Sequence, residues 1–291
     1  MSHIAFSHWL EIELQTAVRE ILPLTGGINS SVFKLTLEDS VKVVKSYAGN
    51  SDSELRYLRE TSFLDLCQDH QISNVPRIER RDPTQQIICM DYINGIKQGA
   101  SEAFIQSLLA FIKELQAIDR EEAQSRLTLA ADSTFELSDL SRELHRRISE
   151  RSEAHHLVAN EELLAILRDA LRDEASSNSI SRFFSTFARQ VVSPSDIGPH
   201  NCIWMDSTAF FIDFEYSGRD TNIKLGLDLL THPDIGFLDL HRNLDPSFEA
   251  VLGFAPSDVP AGLVHLFRLK WDLIRERKMR KIAGIQVWKS Q

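Results

Sequence analysis

Four oxygen-bearing side chains set the first question: Asp196, Asn201, Asp213 and Glu215. The first two stand five positions apart in the loop Ser193-Pro194-Ser195-Asp196-Ile197-Gly198-Pro199-His200-Asn201, which two prolines and a glycine keep out of helix and strand. Asp213 directly follows the short apolar run Ala209–Ile212, and Phe214-Glu215-Tyr216 completes that segment. Carboxylate and amide oxygens are hard ligands, the kind that suit Mg²⁺. Phosphoryl transfer needs such a set: one carboxylate to accept a hydroxyl proton, and two ligands to hold metal on the phosphates. A lone loop aspartate is more often a helix cap or a turn residue. Only the ordered set points to chemistry.

Asp-x-x-x-x-Asn followed by Asp-Phe-Glu resembles the catalytic and metal loops of kinase-like small-molecule phosphotransferases, the aminoglycoside phosphotransferases and choline/ethanolamine kinases. The Ile212–Tyr216 run is similar to choline-kinase-type metal loops, and Pro-Ser-Asp-x-Gly-x-His-Asn resembles a bacterial branch of the group. By this resemblance Asp196 is the catalytic base, Asn201 and Asp213 bind Mg²⁺, and Glu215 helps order the metal site. Two positions depart from the group. Ser195 stands where histidine or glycine is usual, and His200 precedes Asn201 where a smaller residue is common. Neither removes a group the chemistry requires, and His200 is read as a loop-stabilising side chain. Asp228, in Gly226-Leu227-Asp228-Leu229-Leu230, resembles an aspartate that opens a helix of the larger lobe and is read as structural.

A kinase-like fold also requires, in order, a Gly-rich turn, a strand lysine and a helix glutamate upstream of the catalytic loop. Gly26-Gly27-Ile28-Asn29-Ser30-Ser31 supplies the turn, whose N–H groups and Ser30 or Ser31 hydroxyl could reach phosphate oxygens. Val32–Leu37 and Val41–Lys45, joined through Glu38-Asp39-Ser40, predict a β-hairpin. Period-two alternation puts Lys42 on one face and Lys45 on the other, so periodicity leaves the lysine open. The resemblance favours Lys45, because Val43-Val44-Lys45-Ser46-Tyr47 matches the strand end in the group. On the helix predicted from about Ser53 to Gln68, Glu60 is its expected partner and Glu54 the fallback. The strand Ile87–Met90 and Asp91-Tyr92-Ile93-Asn94-Gly95 resemble the hinge, whose backbone around Asp91 and Ile93 holds adenine in the group.

These residues must be positioned by an α+β chain. No glycine or proline occurs from Ala100 to Ser193, so this third should be almost wholly helical. Phe104, Leu108, Leu109, Ile112 and Leu115 mark one helix there, and Leu163 to Leu167, capped by Asn160, a second. Asp119–Arg151 reads as a polar helical excursion. An opening amphipathic helix is predicted from Trp9 through Ile21 and Leu22 into Pro23. Short apolar strands are expected at Cys202–Met205 and Ala209–Phe214, and closing helices around Leu227–Leu230 and Leu263–Ile274. The plan is a two-lobed, protein-kinase-like fold: a sheet-rich lobe over residues 1–93 and a helical lobe over 94–291.

Composition narrows the partners. The 291 residues carry 42 acidic against 32 basic side chains, a net charge of −10, which argues against a nucleic-acid binder. Cys67, Cys89 and Cys202 form no Cys-x-x-Cys pair and read as reduced thiols. No apolar run approaches the roughly 18–20 residues that cross a bilayer, and Met1–Leu10 lacks the features of a signal peptide. A cytoplasmic protein is the expectation. Ser195, Asp196 and His200 lack the Gly-x-Ser-x-Gly elbow of a hydrolase, and His155-His156 lack zinc-site spacing. No Ala-Pro-Glu follows Asp213 as in a protein kinase, which points to a small acceptor. The serious alternative is a catalytically silent pseudokinase, although Lys45, Asp196, Asn201 and Asp213 are all present. The reading is therefore an ATP- and Mg²⁺-dependent transfer to a hydroxyl of a sugar, amino sugar or amino alcohol. Net acidity suits a cationic acceptor. The basic run of Arg268, Lys270, Arg275, Arg277, Lys278, Arg280, Lys281 and Lys289 reads as a helix-end charge bias, with contact to a polyanion as the functional alternative.

Overall fold

The computed structural model describes residues 17–24, 29–47, 52–152, 174–235 and 245–289. The chain forms two compact units: 1–99, 117–130 and 194–218 make the first, and 100–116, 131–193 and 219–291 the second. Gly26 and Gly27, the predicted helix from Trp9 to Leu14, the Asn160-capped helix and His155-His156 lie outside the described residues.

The first unit is built on an antiparallel sheet of five strands. These are β1 (Glu20–Leu24), β2 (Ser31–Thr36), β3 (Val41–Ser46), β4 (Ile78–Asp82) and β5 (Ile87–Asp91), in the order β1-β2-β3-β5-β4. Ile21 and Leu22, expected at the end of a helix, belong to β1 instead. Ile21 pairs with Leu35 and Leu22 with Lys34, and Pro23 sits on an edge strand, where its missing N–H interrupts no central ladder. Tertiary pairing has overridden a helical spacing of apolar residues.

Register separates the two lysines of β3. Val44 lies opposite Phe33 and Cys89, and this face holds the buried cluster of Leu35, Leu37, Val44, Ile87 and Cys89. Lys42 shares that face and reaches Glu79 and Asp91 at its rim. Lys45 lies opposite Val32 and Ile88 on the other face, along with Val43 and Met90. Helix α1 (Ser53–Asp69) buries Tyr57, Glu60, Thr61 and Leu64 at helical spacing.

The hairpin of β7 (Cys202–Met205) and β8 (Thr208–Phe211) is closed by Asp206 and Ser207, with Asp206 in the left-handed region at φ 55°. Between β5 and this hairpin, α2 (Glu102–Gln116) buries the predicted stripe from Phe104 to Leu115. Asp119 caps α3 (Arg120–Arg126) by accepting from the Glu121 and Glu122 N–H groups. Residues 127–136 then leave the helix, against the expectation of a continuous helical excursion, with Asp132 at φ 52°. The Asp220 carboxylate accepts the Thr134 N–H and the Thr221 hydroxyl donates to the Thr134 carbonyl, bonds that an unbroken helix would deny.

The second unit is mostly helical: α2, α4 (Leu137–Ser152), α5 (Glu174–Phe187), α6 (Asn222–Thr231), α7 (Asp245–Leu252) and α8 (Ala261–Lys289), with β6 (Gln190–Ser193) paired to β9 (Gly218–Thr221). The side chain of Thr221, not Asp228, caps α6. Asp228 is buried on that helix and takes Lys224 at 2.9 Å together with Lys270. Lys270 is thus a core residue and leaves the basic surface run in which the sequence places it. Although burial opposes ionisation, Lys224 and Lys270 hold the Asp228 carboxyl below the usual aspartate value. Its contribution to stability is therefore complete above that value and is lost as pH falls through the folded one. Asp228→Ala takes the carboxylate partner from the buried Lys270 ammonium and leaves Lys224 with Asp220 at 3.1 Å, and is expected to cost about 3–5 kcal/mol in urea unfolding at neutral pH.

Candidate active site

All the described site residues lie in the first unit. Antiparallel pairing of β7 and β8 sets Asn201 beside Ile212, whose N–H donates to the Asn201 carbonyl at 2.9 Å. The hairpin ends therefore deliver Asn201 and Asp213 side by side. The Asn201 amide donates from Nδ2 to the Asp196 carbonyl at 3.2 Å, which turns its Oδ1 away as an acceptor. Asp196 sits in a compact bend, its N–H bonded to the Pro194 carbonyl at 3.0 Å, with its Oδ2 3.4 Å from His200 Nε2. Ser195 and Asp213 both hold left-handed backbone, at φ 67° and 68°. Such strain in non-glycine residues gathers at functional loops.

Lys45 reaches this loop from β3. Its Nζ lies 2.6 Å from Glu60 Oε2 and 2.5 Å from Asp213 Oδ1, with Glu215 Oε2 at 3.6 Å. Glu60 is thus the helix carboxylate beside the strand lysine; Glu54, in the first turn of α1, is about one and two-thirds turns away. Burial lowers the Lys45 pKa, yet Asp213, Glu60 and Glu215 outweigh it and raise the pKa above the ordinary lysine range, so the ammonium stays charged. Phe63 of α1 stacks on Phe214 at 4.5 Å between ring centroids, which anchors the helix to the loop that carries Asp213.

Four residues that the sequence reading did not single out complete the surroundings. The Tyr47 hydroxyl donates to Glu60, and Asn29 Nδ2 donates to Glu215 Oε1 at 3.0 Å and to the Tyr216 hydroxyl at 2.6 Å. The Arg56 guanidinium lies 5.4 Å from the Tyr216 ring. Two signals were present: Tyr47 follows Lys45 by two positions, and Arg56 precedes Glu60 by one helical turn. Ser30, expected to reach phosphate, sits half-buried in the bend before β2, and its neighbour Asn29 makes the contact with the loop.

The segment after β5 is tied to the β7–β8 hairpin and to the loop before it. Asp91 donates its N–H to the Arg77 carbonyl, and Gly95 donates to the Ile93 carbonyl, both at 3.1 Å. Ile96 and Trp204 exchange backbone hydrogen bonds of 2.9 and 2.8 Å, and Lys97 Nζ donates to the His200 carbonyl at 2.7 Å. A Cβ on Gly95 would meet the Trp204 carbonyl oxygen at 2.2 Å. Gly95→Ala must therefore pull this segment off the hairpin, at an expected cost of about 1–3 kcal/mol in thermal unfolding.

In oxygen donors the site fits a divalent cation. The Asn201 amide meets the Asp196 carbonyl through Nδ2 and not through Oδ1, and Asp213 is 42% exposed with one oxygen committed to Lys45.

No curated protein sequence matches the chain. Among solved structures, it superposes on the gentamicin complex of APH(2")-IIa with a TM-score of 0.67 at 18% identity, covering 98% of this chain and 95% of that one. The GDP complex of a mutant aminoglycoside 2'-phosphotransferase IIIa matches with a TM-score of 0.67 at 14% identity, over 99% and 97% of the two chains. Choline kinase LicA from Streptococcus pneumoniae matches with a TM-score of 0.61 at 14% identity, over 95% and 92%. At these identities the likeness shows the fold, which is kinase-like: an antiparallel sheet followed by a mostly helical body. The model of the phosphotransferase enzyme family matches residues 20–221. That span holds the sheet, Lys45, Glu60 and the loops of Asp196, Asn201 and Asp213, and over it the chain belongs to the phosphotransferase enzyme family.

Proposed function

We propose that the protein is a small-molecule kinase that transfers the γ-phosphoryl group of ATP to a hydroxyl group of a sugar, amino sugar or amino alcohol. One observation carries this reading: Lys45 from β3, Glu60 from α1 and Asp213 after β8 converge within 2.6 Å, beside a loop that binds Asn201 to Asp196.

Each residue then has a distinct task. Asp196 accepts the proton of the attacking hydroxyl and orients it toward the phosphorus. Lys45, kept charged by its carboxylate neighbours, neutralises the nucleotide phosphates, and Glu60 holds it in place. Asn201 Oδ1 and the second Asp213 oxygen would hold Mg²⁺, which supplies charge neutralisation on the transferring group. The Ile93 N–H and Asp91 carbonyl are the backbone groups for an adenine edge, while Gly26, Gly27 and Ser30 would cover the phosphates. Catalysis is then positioning and electrostatics.

Relatives of the fold support a small acceptor. One neighbour holds gentamicin, another holds streptomycin with ATP, and a third is a choline kinase. The net charge of −10 favours cationic acceptors over anionic ones. The three cysteines are buried and form no disulfide, which suits a reducing, ATP-supplied compartment such as the cytoplasm. Among the described residues no helix is long and apolar enough to cross a membrane. The deciding experiment incubates the protein with ATP, Mg²⁺ and a panel of aminoglycosides, sugars and amino alcohols, and measures a mass gain of one phosphate. Gain on a panel member that disappears in Asp196→Asn supports the reading; ATP left intact with the whole panel counts against it.

A further inference from the structure

Glu215 is surrounded differently from Asp213, although two positions separate them. Asp213 is 42% exposed, whereas the Glu215 side chain is 5% exposed and enclosed by donors. Its Oε1 accepts from Asn29 Nδ2 at 3.0 Å, and Arg56 Nη1 lies 3.9 Å away. Its Oε2 is buried with no hydrogen bond of its own, 3.6 Å from the Lys45 ammonium. Arg56 Nη1 is likewise buried without a hydrogen-bond partner, so each depends on a facing opposite charge. Asn29 bonds the Tyr216 hydroxyl as well, and Arg56 lies over the Tyr216 ring.

One carboxylate on the loop after β8 thus gathers groups from the turn before β2, from β3 and from α1. A magnesium ligand needs an oxygen open to the ion and its waters. Both Glu215 oxygens instead face protein cations or an amide. We propose that Glu215 is a positioning residue and not a metal ligand. With Asn29 and Arg56 it ties the phosphate-covering turn and α1 to the Asp213 loop, and so sets the spacing across which the nucleotide phosphates are held. Its consequence for nucleotide rests on the kinase reading above; the tie itself does not.

Two measurements test it on the full chain. The first is a double-mutant cycle in the protein alone, with Asn29→Ala, Glu215→Gln and both together, read by thermal unfolding. Each single change is expected to lower Tm by about 2–4 °C, and the double variant by little more than the larger single one. A fully additive loss overturns the tie. The second is ATP affinity by calorimetry, with Mg²⁺ and with EDTA. Glu215→Gln and Asn29→Ala should each weaken binding about tenfold in both conditions, whereas Asp213→Ala loses the magnesium-dependent part alone. A Glu215→Gln defect confined to the magnesium arm makes it a ligand and overturns the proposal. If Glu215→Gln does not fold, Asn29→Ala and Asn29→Asp carry both arms: the aspartate sets like charges together and should be the worse of the two, and equal values for the pair overturn the tie. Should the wild-type chain bind no ATP in either condition, the kinase reading falls, and the unfolding cycle still decides the tie.

Discussion

Asp196→Asn is expected to lower kcat by about 10²–10⁴-fold, the usual range for removing a general base, while ATP affinity stays within about threefold. The amide is isosteric and its carbonyl oxygen can still meet His200, so the bend that binds Asn201 should persist. That bend is held by backbone groups, the Asp196 carbonyl and N–H, which the substitution leaves in place. Lost is the capacity to take a proton as the acceptor oxygen attacks. Single-turnover kinetics with an acceptor found in the panel, alongside calorimetric ATP titration, separates the two quantities. Parallel losses of turnover and nucleotide affinity would instead give Asp196 a binding role and refute the assignment.

Asp213→Ala should remove the magnesium dependence of nucleotide binding, with apparent affinity in Mg²⁺ falling about 10²-fold or more and turnover lost with it. The same change acts on Lys45. Asp213 is the largest favourable influence on that ammonium, and Glu60 and Glu215 remain to hold it charged. The variant is therefore expected to fold, with ATP affinity in EDTA close to that of the wild type. Binding measured at several Mg²⁺ concentrations checks this. An unchanged magnesium dependence removes Asp213 from the metal site. The alanine also faces the left-handed backbone at position 213, which costs about 1–2 kcal/mol of stability, so Asp213→Asn, which tolerates that conformation better, is the companion variant.

Much of this arrangement was legible in the sequence, for reasons that can be stated residue by residue. The β2–β3 hairpin, α1, β5 and the β7–β8 hairpin fall where β-rich runs, turn residues and apolar spacing put them. The order of Asp196, Asn201 and Asp213 was readable because two prolines and a glycine keep the first loop out of helix and strand, and a short apolar run marks the strand that Asp213 follows. Other features were not readable. Period two gave Lys42 and Lys45 equal standing, and the lysines are told apart by register, which sets one beside Glu79 and Asp91 and the other beside Glu60 and Asp213. Ile21 and Leu22 fit a helical stripe as well as a strand, and pairing with β2 chose the strand. Lys270 belongs to a basic run along the chain, and only folding sets Asp228 across from it.

The amino-acid sequence by itself determined the family, the kinase-like plan and the chemical types available, because ordered polar motifs and apolar periodicity are local properties of the chain. Tertiary structure alone decided which charges meet. Lys45 and Asp213 are far apart along the chain and 2.5 Å apart in space, and Asn29 and Glu215 likewise meet only after folding. Ion pairs and hydrogen bonds act over a few ångströms, so their partners are chosen by the sheet face, helix face and hairpin end on which each side chain is placed.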